Sequence, residues 1–254
     1  MEIKNVSYEY NKINYKSEEV LENISIKFKK GQISSIIGKN GCGKTTLLNI
    51  ISGEYPLANG ILKLDNEKVA YVKEKPEFIN NLVIDNFKDL TNNLKKIIDS
   101  LKMVNLNQMI LEKKISKLSE SEKKRISIAL ALITNPDVLI LDEPTIGLDN
   151  TNKNLLYKIL NKMNKRYNKT IIIASNDIEF VHKITDVVYV LNDKKITLQG
   201  NKYDIFKQEK ILNNYGIEVP NVIKFSNLVL NKKNKRLGYR DEINDLMKDI
   251  YRNI

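Results

Sequence analysis

Apolar residues along this chain recur at two different periods. Residues 2–10 and 20–28 read as strands, with Val20, Ile24, Ile26 and Phe28 set against polar neighbours. A polar stretch, residues 11–19, connects them. The apolar run Ile33–Ile37 reads as a further strand, and Leu47, Leu48, Ile50 and Ile51 open a helix soon after it. Pro56 and Gly60 mark turns before two short strands at residues 61–64 and 69–72. From residue 77 to 117 the composition shifts to Asn, Lys and Leu at helical spacing. Leu90, Leu94, Ile97, Ile98, Leu101 and Val104 form a predicted apolar stripe there.

A second helix is predicted from Ser119 to Ile133, with Ser119 as N-cap and Glu122 closing a capping box; Asn135-Pro136 stops it. Residues 138–141 and 170–174 are unbroken apolar runs, the mark of strands buried on both faces of a parallel sheet. A helix over residues 152–167 separates them. Residues 187–191 and 195–198 read as a hairpin over Asn192-Asp193. Polar helices follow Gly200, then an extended link around Pro220 and an amphipathic segment at 242–254. The order predicts an α/β fold over residues 1–200, with an inserted helical subdomain at about 77–135 and a small helical extension at 201–254. There is no internal repeat.

Composition narrows the setting only a little. With 254 residues and 42% hydrophobic content, the chain can bury a sizeable core. No run approaches the ~18 apolar residues of a membrane span. The N-terminus lacks a signal-peptide pattern, and the one cysteine, Cys42, provides no disulfide framework, so the cytosol is the expected compartment. The net charge of +11 would suit nucleic acid or an anionic membrane. Its lysines are scattered along the chain rather than gathered in one arm, which fits a solvated surface better.

The chemistry lies between the strands. Gly38-Lys39-Asn40-Gly41-Cys42-Gly43-Lys44-Thr45-Thr46 follows a strand and opens a helix, the context of a phosphate-binding loop. The glycines let successive N–H groups turn inward on a phosphate chain, and the helix adds the positive end of its dipole. Lys44 is placed to reach the β- and γ-phosphates, and the Thr45 hydroxyl to hold Mg²⁺. Asp142 and Glu143 end a buried strand. Asp142 is expected to hold Mg²⁺ and Glu143 to polarise the attacking water as general base. Tyr8 and Tyr10 end the first strand, and either could stack on an adenine ring.

These elements, in this order, resemble the ATP-binding subunit of an ABC (ATP-binding cassette) transporter over residues 1–200. The sequence Leu118-Ser119-Glu120-Ser121-Glu122 and the basic, small-residue helix after it look like the family signature, Leu-Ser-Gly-Gly-Gln. Gly147-Leu148-Asp149 matches the loop that faces a second subunit, and Tyr10 falls at the position of the adenine-stacking aromatic. The resemblance implies a P-loop NTPase of the ABC type with an N-terminal antiparallel β subdomain. It also implies a dimer in which Ser119 and the Ser121 N–H of one subunit cover the γ-phosphate held by the other.

Several positions depart from the family pattern. Glu120 brings a negative charge toward a polyphosphate, and Ser121 fills room usually left by glycine. The loop glutamine that touches Mg²⁺ and water is Glu74 here, which cannot donate a hydrogen bond when ionised. The switch histidine is Asn176, which can bond a γ-phosphate but cannot carry a proton for it. The only histidine, His182, lies on the following helix and is given no role.

The expected function is an ATP-binding and hydrolysing subunit at the cytoplasmic face of the cell membrane. It would pair with a second ABC ATPase, a heterodimer being more economical given the altered positions, and dock on an integral membrane transporter subunit. The tail 214–222, with Leu228-Val229-Leu230, Gly238-Tyr239 and Glu242-Ile243, resembles energy-coupling-factor and cobalt-type importer ATPases, which implies an importer of a vitamin or a metal. A regulatory partner that closes on ATP with little turnover is the alternative reading. A soluble ABC protein acting on nucleic acid fits a single 254-residue cassette poorly, and no specific nucleic acid partner is expected.

Overall fold

The computed structural model describes residues 1–10, 18–57, 59–233 and 243–253. Its elements, in chain order, are β1 Glu2–Tyr10, β2 Glu18–Lys27, β3 Ile33–Ile37, α1 Lys44–Ser52, β4 Ile61–Lys63 and β5 Val69–Val72. They continue with α2 Val83–Lys88, α3 Leu94–Met103, α4 Glu120–Ile133, β6 Val138–Asp142, α5 Asn150–Tyr167, β7 Thr170–Ala174 and α6 Ile178–Ile184. The last are β8 Val187–Asn192, β9 Lys195–Asn201, α7 Lys202–Phe206, α8 Glu209–Asn214, α9 Asn221–Lys233 and α10 Ile243–Asn253. Two short 3-10 turns, Gln108–Glu112 and Ile115–Lys117, bridge α3 and α4.

Two sheets form. One is antiparallel, in the order β2-β1-β4; the other runs β5-β6-β7-β3-β8-β9, parallel except for β9. The unbroken apolar runs lie where both faces of the parallel sheet are covered. In β6 and β7, Ile140, Ile172 and Ala174 turn to one side, and Leu139, Leu141, Ile171 and Ile173 to the other. α1 fills the space between the sheets, with Leu47, Leu48 and Ile51 fully buried against Ile3, Val6 and Ile24 of the antiparallel layer. On the opposite face of β3 and β8, Ile37, Val188 and Val190 pack with Phe206, Leu212, Ile217 and Leu246. The segment after residue 200 thus shares a core with the sheet.

The helical stripe is shorter than its sequence pattern. Ile97, Leu101 and Val104 are buried, but Leu90 and Leu94 are exposed. The chain breaks after α2, and Asn93 caps α3 by accepting from the Lys96 N–H, so the two leucines stand outside one continuous face. The hairpin turns on Asp193 and Lys194 rather than Asn192-Asp193. Both have positive φ, 45° and 67°, and Asn192 pairs with Lys195 in the ladder. The capping box at Ser119 and Glu122 is present in both directions. The polar connection at 11–17 and the tail positions Gly238, Tyr239 and Glu242 lie outside the described residues.

Candidate functional site

β3, β6 and β7 lie side by side, and the residues of interest follow their carboxyl ends, where open parallel sheets take ligands. After β3 the loop passes through Gly41 and Gly43, both in the left-handed region at φ 79° and 107°. At Gly43 a Cβ would also stand 3.0 Å from Val20 and Leu21 side-chain carbons, so only glycine fits. Gly43 is the N-cap of α1 and supplies no side-chain cap, which leaves the first N–H groups of the helix for an anion. Lys44 is buried and folds back over the loop. Its Nζ donates to the carbonyls of Gly38 at 2.9 Å and Lys39 at 3.2 Å, and to Asn176 Oδ1 at 2.7 Å.

The strand end opposite carries two buried carboxylates. Thr45 Oγ1 donates to Asp142 Oδ2 at 2.7 Å, and the Tyr71 hydroxyl to the same oxygen at 3.3 Å. Asp142 Oδ1 is buried with no partner. Glu143 leaves the strand at φ 40°, a left-handed conformation costly for a side chain this long. Its Oε2 accepts from Ser175 Oγ at 3.2 Å and from the Asn176 N–H at 3.1 Å, and its Oε1 lies 3.7 Å from Lys44 Nζ. Burial pushes both carboxyls above their ordinary range; the bonds from Thr45 and Tyr71, and from Asn176 and Ser175, pull the other way.

Asn176 joins the two halves, since its side chain also bonds Asn40 of the phosphate loop. A cavity of about 390 Å³ opens here, walled by Asn40, Gly41 and residues 43–46 together with Tyr10, Val20, Glu74 and Glu143. Tyr10 is partly exposed; its hydroxyl bonds Thr46 Oγ1 at 2.9 Å and its ring meets Tyr8 and Tyr55 edge-on. Cys42 turns its sulfur toward Gly38, and burial pushes its thiol pKa up. A larger cavity, about 810 Å³, lies at the amino ends of β3 and β8, away from these groups.

Ser119 and Ser121 are not among the walls. Ser119 Oγ is engaged with Glu122, and Ser121 Oγ donates to Asn152 Oδ1 at 2.7 Å, so the buried Ser121 side chain ties α4 to the start of α5. Glu120 projects into solvent, paired with Lys123. His182 is buried against Tyr203 and Phe206 on α6. Val20, Tyr71 and Ser175 belong to the site although sequence reasoning passed over them. Tyr71 and Ser175 sit at or beside the ends of strands flanking Asp142, a signal that becomes readable only once the strand order is known.

Comparison with known proteins agrees with this geometry. Residues 21–146 match the ABC transporter family. The chain is 34% identical to a zinc import ATP-binding protein of Ehrlichia canis, over 83% of this chain and 87% of that protein. It is 28% identical to an energy-coupling factor transporter ATP-binding protein of Clostridium perfringens, over 87% of this chain and 85% of that one. Among solved structures, cbiO1 of Clostridium perfringens, part of the ABC transporter complex cbiONQ, matches with a TM-score of 0.73 at 27% identity. That match covers 88% of this chain and 97% of cbiO1. The ATP-binding cassette MJ0796, a dimer in a post-hydrolysis state bound to ADP and Pi, also gives 0.73, at 25% identity over 79% and 98% of the two chains. The phosphate loop, the paired carboxylates and the sheet order therefore have one reading: this chain belongs to the ABC transporter family, as an ATP-hydrolysing subunit.

Proposed function

We propose that this chain powers an importer of the energy-coupling-factor or metal-uptake type. It works at the cytoplasmic face of the membrane, paired with a second ABC ATPase beneath an integral membrane subunit. Among the described residues no helix is long and apolar enough to cross a membrane. Relatives that import zinc or belong to energy-coupling-factor transporters support the substrate class.

The observation that carries the catalytic reading is the setting of Glu143. It is buried, held by Ser175 and Asn176, and placed opposite Lys44. Lys44 and the N–H groups of residues 43–46 hold the phosphates, while Tyr10 faces the adenine. Glu143 accepts the proton of the attacking water, and Asn176 holds Lys44 and the γ-phosphate in line with it. Thr45 and Asp142 fit Mg²⁺, because the unpartnered Asp142 Oδ1 is a hard carboxylate ligand and the Thr45 hydroxyl beside it is a second oxygen donor. When bound, Mg²⁺ would neutralise charge that develops on the phosphates.

A second reading, a regulatory partner with little turnover, is favoured by Glu120. Its side chain is 64% exposed at the turn expected to face the other subunit's ATP. The heterodimer follows from the same residue, since two identical copies would carry this charge into both sites. Purification of the tagged chain from native membranes in mild detergent with ATP tests the assembly. A second ABC subunit with a polytopic membrane protein is expected; recovery of this chain alone would overturn it. Glu143→Gln in that complex separates the readings: turnover should fall at least ~100-fold, and unchanged turnover would favour the regulatory role.

A further inference from the structure

α4 carries a buried cation that none of these roles uses. Lys124 is only 4% exposed, and its Nζ donates a 2.5 Å hydrogen bond to the main-chain carbonyl of Glu74. Lysine is seldom buried so fully without strong compensation. Here the bond goes to a backbone oxygen, and the carboxylates of Glu74, Asp142, Glu120 and Glu143 are near enough to act on the ammonium's charge. Burial is the largest influence and lowers the ammonium's pKa. Glu74, Asp142, Glu120 and Glu143 oppose it, in that order.

The placement has mechanical content as well. Lys124 lies on the helix that Ser119 caps, and α4 packs against β5, whose end leads into Glu74. The side chain therefore joins the helix that begins at the signature turn to the loop that walls the nucleotide cavity. Electrostatically it answers a difficulty in the site. Glu74 and Glu143 line that cavity and Asp142 lies bonded to Thr45 beside it, and among the described residues Lys44 is the cation in the cavity wall. Like charges brought together in a buried site favour protonation or splaying apart, and a second fixed cation opposes both.

We propose that Lys124 is a positioning residue for hydrolysis: its ammonium fixes the Glu74 loop to the signature helix and balances the carboxylates around the metal and the attacking water. This rests on the assignment of Glu74, Asp142 and Glu143 made above. The competing account is that the aliphatic stem of Lys124 fills space between α4 and β5 and the charge is incidental.

Lys124→Met separates the two, because it keeps the apolar stem and removes the charge. In the assembled transporter it should lower kcat for ATP about 10- to 100-fold while KM stays within about twofold. In a Glu74→Gln background the same substitution should cost less, since the carboxylate with the largest influence on the ammonium is gone. Lys124→Arg should retain most of the activity. An equal loss in both backgrounds, or no loss in either, would overturn the proposal. If Lys124→Met fails to fold in both backgrounds, the role is structural and the proposal falls. If it folds only with Glu74→Gln, the charge relationship stands. Glu143→Gln run alongside keeps the underlying assignment separate: should it leave turnover intact, the catalytic reading fails whatever Lys124 does.

Discussion

Asn176 holds Lys44: its side-chain oxygen accepts a 2.7 Å hydrogen bond from Nζ, while its own backbone N–H donates to Glu143. The side-chain bond can be removed by substitution and the backbone bond cannot. Asn176→Ala should therefore leave Glu143 in place and remove one of the three hydrogen bonds that hold Lys44, lowering kcat about 10- to 100-fold with a smaller change in KM. Asn176→His, which restores the family's switch residue, should raise turnover above that of the wild type. Steady-state ATPase rates of the three proteins check this. Equal rates for Asn176→Ala and wild type would remove the side chain from the mechanism.

The unpartnered Asp142 Oδ1 separates metal-dependent from metal-independent binding. Chelating divalent ions should stop turnover yet leave measurable ATP binding through Lys44 and the loop N–H groups. Asp142→Ala should remove the gain in ATP affinity that Mg²⁺ gives, about 10- to 100-fold, and leave the chelated affinity near wild type. Calorimetric titrations with and without Mg²⁺ read both. A metal-dependent gain that survived in Asp142→Ala would move the ion elsewhere.

Burial raises Asp142 and Glu143 in the folded protein. Such a group stabilises the fold fully below its unfolded value and loses that contribution as pH rises through its folded value. Ligand-free protein at neutral pH therefore bears buried negative charge that works against folding. Glu143→Gln removes it while keeping an acceptor for Ser175 and Asn176. Its Tm at neutral pH should exceed the wild type's by about 2–4 °C for each kcal/mol gained, and the gap should close toward about pH 4, near the unfolded carboxylate value. A gap that widened as pH fell would contradict the sign.

Phe206 is fully buried between β3 and β8 on one side and α8, α9 and α10 on the other. Phe206→Ala should cost about 3–5 kcal/mol and lower Tm by about 10 °C. Calorimetry should show one transition in both proteins, because the cluster joins the extension to the sheet. Two transitions, with only one displaced, would mark residues after 200 as a separate folding unit.

The phosphate loop, the acidic strand and the capping box were legible in the sequence because each is local. Gly43, Lys44 and Thr45 are neighbours in the chain, and the loop needs only a strand before it and a helix after it. The same locality misled at Leu90 and Leu94. Their spacing fits a helical face, but the break before Asn93 ends α2 and leaves them exposed. Tyr71, Ser175 and Lys124 escaped notice for a different reason. Each reaches the site from another strand or helix, and nothing in the flanking residues announces that β5 and β7 flank β6. Ser121 illustrates a further limit: its position in the motif was plain, but its bond to Asn152 depends on how α4 meets α5.

The position of β3 has a consequence for how the protein is made. Its neighbours in the sheet are β7 and β8, residues 170–174 and 187–192, and the cluster around Ile37 takes in residues from Val181 to Leu246. A ribosome delivers the phosphate loop early and the strands that hold it much later, an order that favours slow, late closure. A chain halted before β7 carries the whole nucleotide-binding motif in its primary structure and still lacks a site. ATP capture can therefore report that synthesis has passed β7 and β8.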